Sequence, residues 1–219
     1  MYLSRIQLNP ARRGAQRVLS SPHVLHAAVL AAFPDPSARE AGRVLWRLDT
    51  APHRALVYIV SPGRPDLTHL AEQAGWPSLE DSWGTRPYDP ILGRIDNGHR
   101  YRFRLTANPV RSERLPAGER GKVYGHVTVD QQEQWLLTRA ARRGFDISAG
   151  PQTDRADLVV SDRRTLTFAR RETRVTLRVA TFEGTLTVTD REAFVHALGH
   201  GIGRAKGYGC GLLTIAPAE

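Results

Sequence analysis

The chain has 219 residues, 41% of them hydrophobic and 24% charged, and its 31 Lys and Arg against 22 Asp and Glu give a formal net charge of +9. No apolar run approaches the roughly 18 residues that span a bilayer, which excludes a helical membrane protein, and the start lacks the basic, apolar, small-residue order of an export signal, which points to the cytoplasm. A single cysteine, Cys210, excludes an internal disulfide and a cysteine-built metal site.

In chain order, "YLSRIQLN" (2–9) alternates apolar and polar residues, as a strand with one buried face does. "SPHVLHAAVLAAF" (21–33) predicts a helix, with Ser21 as its cap, Pro22 in its first turn, and Leu25, Ala28, Val29, Ala32 and Phe33 as its buried stripe. "RVLWRLD" and "RALVYIV" predict two strands, "DLTHLAEQAG" a short helix and "RYRFRLTANP" (100–109) a closing strand. This β-α-β-β-α-β order begins again after the polar segment "RSERLPAGERG" (111–121). Strand "KVYGHVTV", helix "DQQEQWLLTRAARRG", strand "FDISAG", the strands of 157–189, helix "DREAFVHALGH" and final strand "GCGLLTIAP" follow. The expected fold is α+β, two tandem ferredoxin-like (RNA-recognition-motif-like) βαββαβ domains over 1–110 and 122–219, joined by a linker at 111–121. One mixed α+β domain is the alternative.

Nearly all of the cation is guanidinium, since Lys122 and Lys206 are the only lysines. Guanidinium forks onto phosphates and stacks on bases, whereas an ammonium acts as a point charge. A GC-rich coding bias explains the Arg:Lys ratio but not the excess over acids. A basic surface facing a polyanion explains that excess, and nucleic acid is favoured over a membrane because no amphipathic basic helix is visible.

Within "DRRTLTFARRETRVTLRVATFEG", Leu166 and Phe168, then Val175, Leu177 and Val179, alternate with polar residues. Two strands there bury one face and leave Arg174 and Arg178 on the other, with Arg170 and Arg171 at the hairpin tip and Arg163 and Arg164 at its base. Such a hairpin suits an RNA stem, and a solvated strand face is the plainer alternative. Further on, Gly201, Gly203, Gly207, Gly209 and Gly211 surround Arg204 and Lys206. A glycine-rich turn lets backbone and cations approach a phosphate, or serves only as a helix cap and tight turn. The spacing is neither a P-loop nor GxGxxG, because Lys206 stands where the third glycine belongs.

Of the eight histidines, His23 and His26 lie off the buried stripe of their helix and share one side near its positive end. Histidine moves protons near neutrality, so both are candidates for acid-base work. A metal pair there finds no third ligand by spacing. His196 and His200 are spaced like the HExxH pair, but Ala197 replaces the glutamate. His53, His69, His99 and His126 are isolated, and no base is placed near Cys210.

The segments "MYLSRIQLNP", "RFRLTANP", "EQWLLTRA", "FEGTLTVTD" and "GIGRAKGYGCGLLTIAP" resemble, in order and along the whole chain, those of the CasE family, the repeat-processing endoribonucleases of type I-E CRISPR systems. The resemblance implies cleavage of precursor CRISPR RNA at the repeat hairpin without metal or other cofactor, by 2′-hydroxyl attack that leaves a 2′,3′-cyclic phosphate. It also implies retention of the mature product with the other Cascade subunits, and it places the catalytic histidine at His26. Some relatives carry a tyrosine three residues earlier and cations on the following turns, where this chain has His23, Ala27 and Ala31. His23 is then the second proton-transfer group, or the cation comes from Arg204 or Lys206. A scaffold of the same fold that binds RNA without cutting it is the alternative, and a general RNA chaperone a distant third.

Overall fold

The computed structural model describes residues 1–35, 42–113, 121–147, 149, 156–170 and 172–218. The first half holds β1 (Tyr2–Leu8), α1 (Arg13–Leu19), α2 (Pro22–Leu30), β2 (Leu45–Ala51), β3 (Arg54–Ser61), α3 (Thr68–Ala74), β4 (Trp83–Pro87) and a short α4 (Asp89–Gly93). Its strands pair antiparallel in the order β2-β3-β1-β4, the strand order of a ferredoxin-like unit. Apolar residues of β1 (Ile6, Leu8) and β3 (Val57, Ile59) bury against Leu25, Val29 and Phe33, so the predicted stripe of α2 is the face that meets the sheet.

The second half holds β5 (Arg100–Ala107), β6 (Val110–Ser112), β7 (Val123–Gly125), α5 (Val129–Ala140), β8 (Phe145–Asp146), β9 (Leu158–Arg170), β10 (Thr173–Val188), α6 (Arg191–His200) and β11 (Leu213–Pro217). Its sheet runs β11-β5-β10-β8, with β9 also paired to β10, so the same topology recurs. The fold is α+β with two tandem ferredoxin-like units. Among the described residues, no helix is long and apolar enough to cross a membrane.

The expected division of the chain needs correction. Residues 100–107 do not close the first sheet: β5 is a central strand of the second, with Phe103, Leu105 and Ala107 buried in its core. The strand that closes the first sheet is β4, whose "WGTRP" carries too little apolar alternation to read as a strand. By sheet membership, 111–121 therefore interrupts the second unit rather than joining the two. Of that segment, 114–120 lie outside the described residues. "KVYGHVTV" is not a core strand but only β7, paired with β6 in a two-stranded ribbon, because Val123, Tyr124 and Val127 stay 49%, 43% and 53% exposed.

Helix α1 was not legible either. It has no side-chain cap and no acidic residue in its first turn. Tertiary contacts hold it instead, since Gly14 sits directly on the Gln73 carbonyl of α3, leaving no room for a side chain. Arg12 donates to the carbonyls of Glu72 and Gly75 at 2.7 and 2.9 Å, the negative end of that helix.

Arg47 ties the two units together. Only 2% exposed, it pairs with Asp49 at 2.8 Å and donates to the Arg104 carbonyl at 2.8 Å and to Thr214 Oγ1 at 2.7 Å, both in the second sheet. Its guanidinium also lies 5.2 Å from the Tyr58 ring centre. A buried charge needs such partners to offset its lost hydration.

Candidate functional site

The start of α2 faces the second unit. Ser21 caps the helix by accepting the His23 N–H at 3.2 Å, and with Leu25 and Val29 buried, His23 and His26 are left half-buried on the flank. Trp46 on β2 donates its indole N–H to Nδ1 of His26 at 3.2 Å. An indole can only donate, so Nδ1 is unprotonated and the neutral ring carries its proton on Nε2. Burial pushes the imidazolium of His26 down, and the charge of His23 adds to the effect.

The glycine segment closes over this ring. A 3-10 turn at Lys206–Tyr208 brings Gly207 so near that a Cβ there would stand 3.4 Å from His26 Nε2, while the Tyr208 ring packs edge-on at 6.5 Å. Gly201, Gly203, Gly209 and Gly211 have φ of +76°, +84°, +77° and +91°, the left-handed region that favours glycine. Gly209 also admits the Trp46 indole, since a Cβ there would lie 2.6 Å from its Cζ3, and Gly203 lies against Trp135. Gly201 ends α6, its N–H bonded to the Ala197 carbonyl. Four of the five glycines thus serve backbone geometry and packing, and Gly207 leaves space beside His26.

Arg204 and Lys206 do not converge on one point. Lys206 Nζ donates to the His200 carbonyl at 2.6 Å, and burial, then Arg43 and Arg143, lower its pKa. Arg204 turns to the other side and donates to Ser112 Oγ at 3.0 Å.

The β9–β10 hairpin buries Phe168, Leu177 and Val179 against Cys210, with Tyr208 packed on Phe168 at 4.9 Å between ring centres. Arg170, Arg174 and Arg178 are exposed, and Arg171 lies outside the described residues. Arg163 and Arg164 are not at the hairpin base, because the strands pair on to Leu158 and Gly184. They sit where the register shifts opposite Val179 and Thr181, with Asp162 at φ +45°. That bulge re-aims Arg163 onto Gln132 Oε1 and the Val127 carbonyl, stapling the hairpin to α5. Arg164 pairs with Asp162 at 3.4 Å and reaches the cleft beside Ser21, Pro22, Trp46 and Tyr208, which connects the basic hairpin with the start of α2.

Three other histidines have local partners. His69 bonds the Ala28 carbonyl, and His196 and His200 stack on each other at 4.0 Å. Cys210 is fully buried, which pushes its thiol up to about 12. Among the described residues, no third His, Cys, Asp or Glu joins His23 and His26 in a cluster of metal-binding size. Sequence reading missed Trp46 and Tyr208: Trp46 stands in an apolar strand and Tyr208 among glycines, with no pattern linking either to a histidine far away in sequence.

Comparison with known proteins gives consistent matches. The family described as CRISPR associated protein matches residues 1–217. The CRISPR-associated endoribonuclease Cse3 of Thermus thermophilus is 31% identical over 222 residues, covering 99% of this chain and 100% of the relative. The CRISPR system Cascade subunit CasE of Escherichia coli is 29% identical over 122 residues, 52% of this chain and 57% of the relative. The solved structure of Thermus thermophilus Cse3 bound to an RNA representing a pre-cleavage complex aligns with a TM-score of 0.76 at 30% identity, over 99% of this chain and 98% of that one.

Proposed function

The chain belongs to the CRISPR-associated protein family, in its type I-E Cse3/CasE branch, and on that footing we propose that it is the endoribonuclease that cleaves precursor CRISPR RNA at the repeat hairpin. The mature RNA stays bound, and the protein acts with the other Cascade subunits in the cytoplasm. The observation that carries the site assignment is the packing of Gly207 against Nε2 of His26, whose Nδ1 accepts from Trp46 and whose ring meets Tyr208; Trp46 and Tyr208 in turn line the neighbouring cleft with Arg164.

Cleavage needs no metal on this reading. The 2′-oxygen forms a bond to phosphorus as its proton leaves, and the bond from phosphorus to the 5′-oxygen breaks as that oxygen takes a proton. A 2′,3′-cyclic phosphate and a 5′-hydroxyl remain. Nε2 is the ring nitrogen of His26 open to the RNA. With RNA bound, Nε2–H of the neutral ring donates to the phosphate, whose negative charge favours uptake of a solvent proton at Nδ1 as the Trp46 N–H turns away. The imidazolium hands its Nε2 proton to the 5′-oxygen, and His23, three residues earlier on the same helix, takes the proton of the 2′-hydroxyl. The hairpin arginines Arg170, Arg171, Arg174 and Arg178 hold the stem through its phosphates, with Arg163, Arg164, Arg204, Lys206 and the glycine segment Gly201, Gly203, Gly207, Gly209 bordering the path of the chain.

The test is cleavage of a labelled repeat hairpin in EDTA by wild type and His26→Ala, with binding measured alongside. The expected result is a single cut by wild type, a cyclic phosphate end, and a variant that binds without cutting. Exposed Ala27 and Ala31, where cations would assist, support the second reading of a non-cutting scaffold. Equal binding with no cut by either protein would establish it.

A further inference from the structure

A second cleft lies on the other side of the glycine segment, away from His26. Arg111, Ser112, His126, Trp135, Arg139 and Arg204 line it. The Arg139 guanidinium stacks on Trp135 at 4.4 Å and bonds the Trp135 carbonyl at 3.0 Å, which points it along the cleft wall. Arg111 lies 5.7 Å from the Tyr124 ring centre, and Arg204 is held by Ser112. Three guanidiniums are thus fixed by rings, a carbonyl and a hydroxyl. Among the described residues, none of them has a carboxylate within ion-pair distance.

This arrangement costs energy in the free protein. Burial, then Arg142, Arg143 and Arg204, lower the pKa of Arg139, and burial, then Arg111 and Arg139, lower that of His126. Like charges held together without a counterion repel, and an anion placed among them removes the repulsion and gains charge-assisted hydrogen bonds. Trp135, 3% exposed, adds a buried Nε1–H with no acceptor among the described residues.

We propose that the cleft between Arg111, Arg139 and Arg204 binds a backbone phosphate of the RNA, at a site separate from the scissile phosphate. The inference rests on the RNA-cleaving reading above. Its value to the enzyme is register: the segment 201–211 touches this cleft through Gly203 and Arg204 and touches His26 through Gly207. A phosphate held at one end of the segment therefore fixes which bond reaches the other end. His126 also lines the neighbouring cleft with Arg163, Arg164 and Arg178, so the RNA path continues from the hairpin into this site.

The experiment compares wild type with the double variant Arg111→Gln, Arg204→Gln. Both side chains are exposed, and Arg139 is left in place because it packs on Trp135. Two probes are used: inorganic phosphate, read by the shift in melting temperature, and the repeat hairpin, read by affinity against salt concentration. Phosphate is expected to raise the wild-type melting temperature and to have little effect on the variant. The variant should bind the hairpin roughly tenfold more weakly, with a salt slope lower by about one. If phosphate stabilises both proteins equally, the cleft is not an anion site. A variant that loses the phosphate response yet binds RNA like wild type shows a free-phosphate site and overturns the RNA assignment. Should wild type fail to bind the hairpin at all, the functional reading falls and the RNA assignment with it, and the phosphate response still decides whether the cleft takes an anion.

Discussion

Trp46 and His26, twenty residues apart on different elements, are joined by an indole N–H donated to imidazole Nδ1 at 3.2 Å. The bond fixes the ring plane and keeps the neutral tautomer with its proton on Nε2, the nitrogen beside Gly207. It also opposes formation of the imidazolium, because a protonated Nδ1 would face another donor.

Trp46→Phe keeps the aromatic packing and removes this donor. Single-turnover cleavage at saturating RNA is expected to fall about tenfold, part of the roughly 10²- to 10⁴-fold that a positioned proton-transfer group supplies, with hairpin affinity unchanged. The acid-base profile separates orientation from packing: the apparent pKa of His26, followed by NMR, should rise in the variant. An unmoved pKa would mean that the bond does not form in solution.

Gly207→Ala and Gly209→Ala should fail in different ways. At Gly209 the φ of +77° and the Trp46 ring, 2.6 Å from where a Cβ would stand, make alanine a fold defect, costing about 2 kcal/mol. At Gly207 the nearest neighbour is His26 Nε2 at 3.4 Å, so alanine fits with a small shift but occupies the space beside the reactive nitrogen. Thermal melts and cleavage assays on both variants check this: Gly209→Ala loses stability, and Gly207→Ala loses cleavage at nearly wild-type melting temperature.

The periodic elements were legible because their apolar spacing is local. The stripe of α2 and the alternation of Phe168, Leu177 and Val179 could be read directly, as could the basic face opposite them. What was not legible depends on partners distant in sequence. Strand β5 has the same alternation whether it closes the first sheet or centres the second, and only its pairing with β10 and β11 decides. Helix α1 is held by contacts with α3 rather than by its own caps. The histidines could be placed on one helix flank, but Trp46 and Tyr208 reach them only through the fold.

Arg47 is expected to matter more for stability than for chemistry. Arg47→Met keeps much of the volume but leaves Asp49 at the unit boundary without its closest cation and removes donors from the Arg104 carbonyl and Thr214. Losing one partner of a buried pair costs about 3 kcal/mol, or roughly 6–12 °C in melting temperature for a chain of this size. A calorimetric melt measures it. Separation into two transitions would show further that Arg47 couples the unfolding of the two units.

The stability of the fold should depend on pH with a definite sign. Burial, before any charge effect, lowers the pKa of His26, His126 and His196 from the ordinary histidine value of 6.5. The unfolded chain therefore binds more protons than the folded one between those lowered values and about 6.5, and stability must rise with pH across that window. On acidification from pH 7.5 to 5, the wild-type melting temperature is expected to fall as unfolding takes up protons that these rings resist. His26 is the most enclosed of the three, so His26→Gln, whose amide oxygen can still accept from Trp46, should flatten part of the fall while leaving the melt at pH 7.5 close to wild type. Parallel curves for the two proteins would mean that His26 titrates alike in the folded and unfolded chains, and that Trp46 and the glycine segment do not hold it in the neutral form from which the proposed reaction starts.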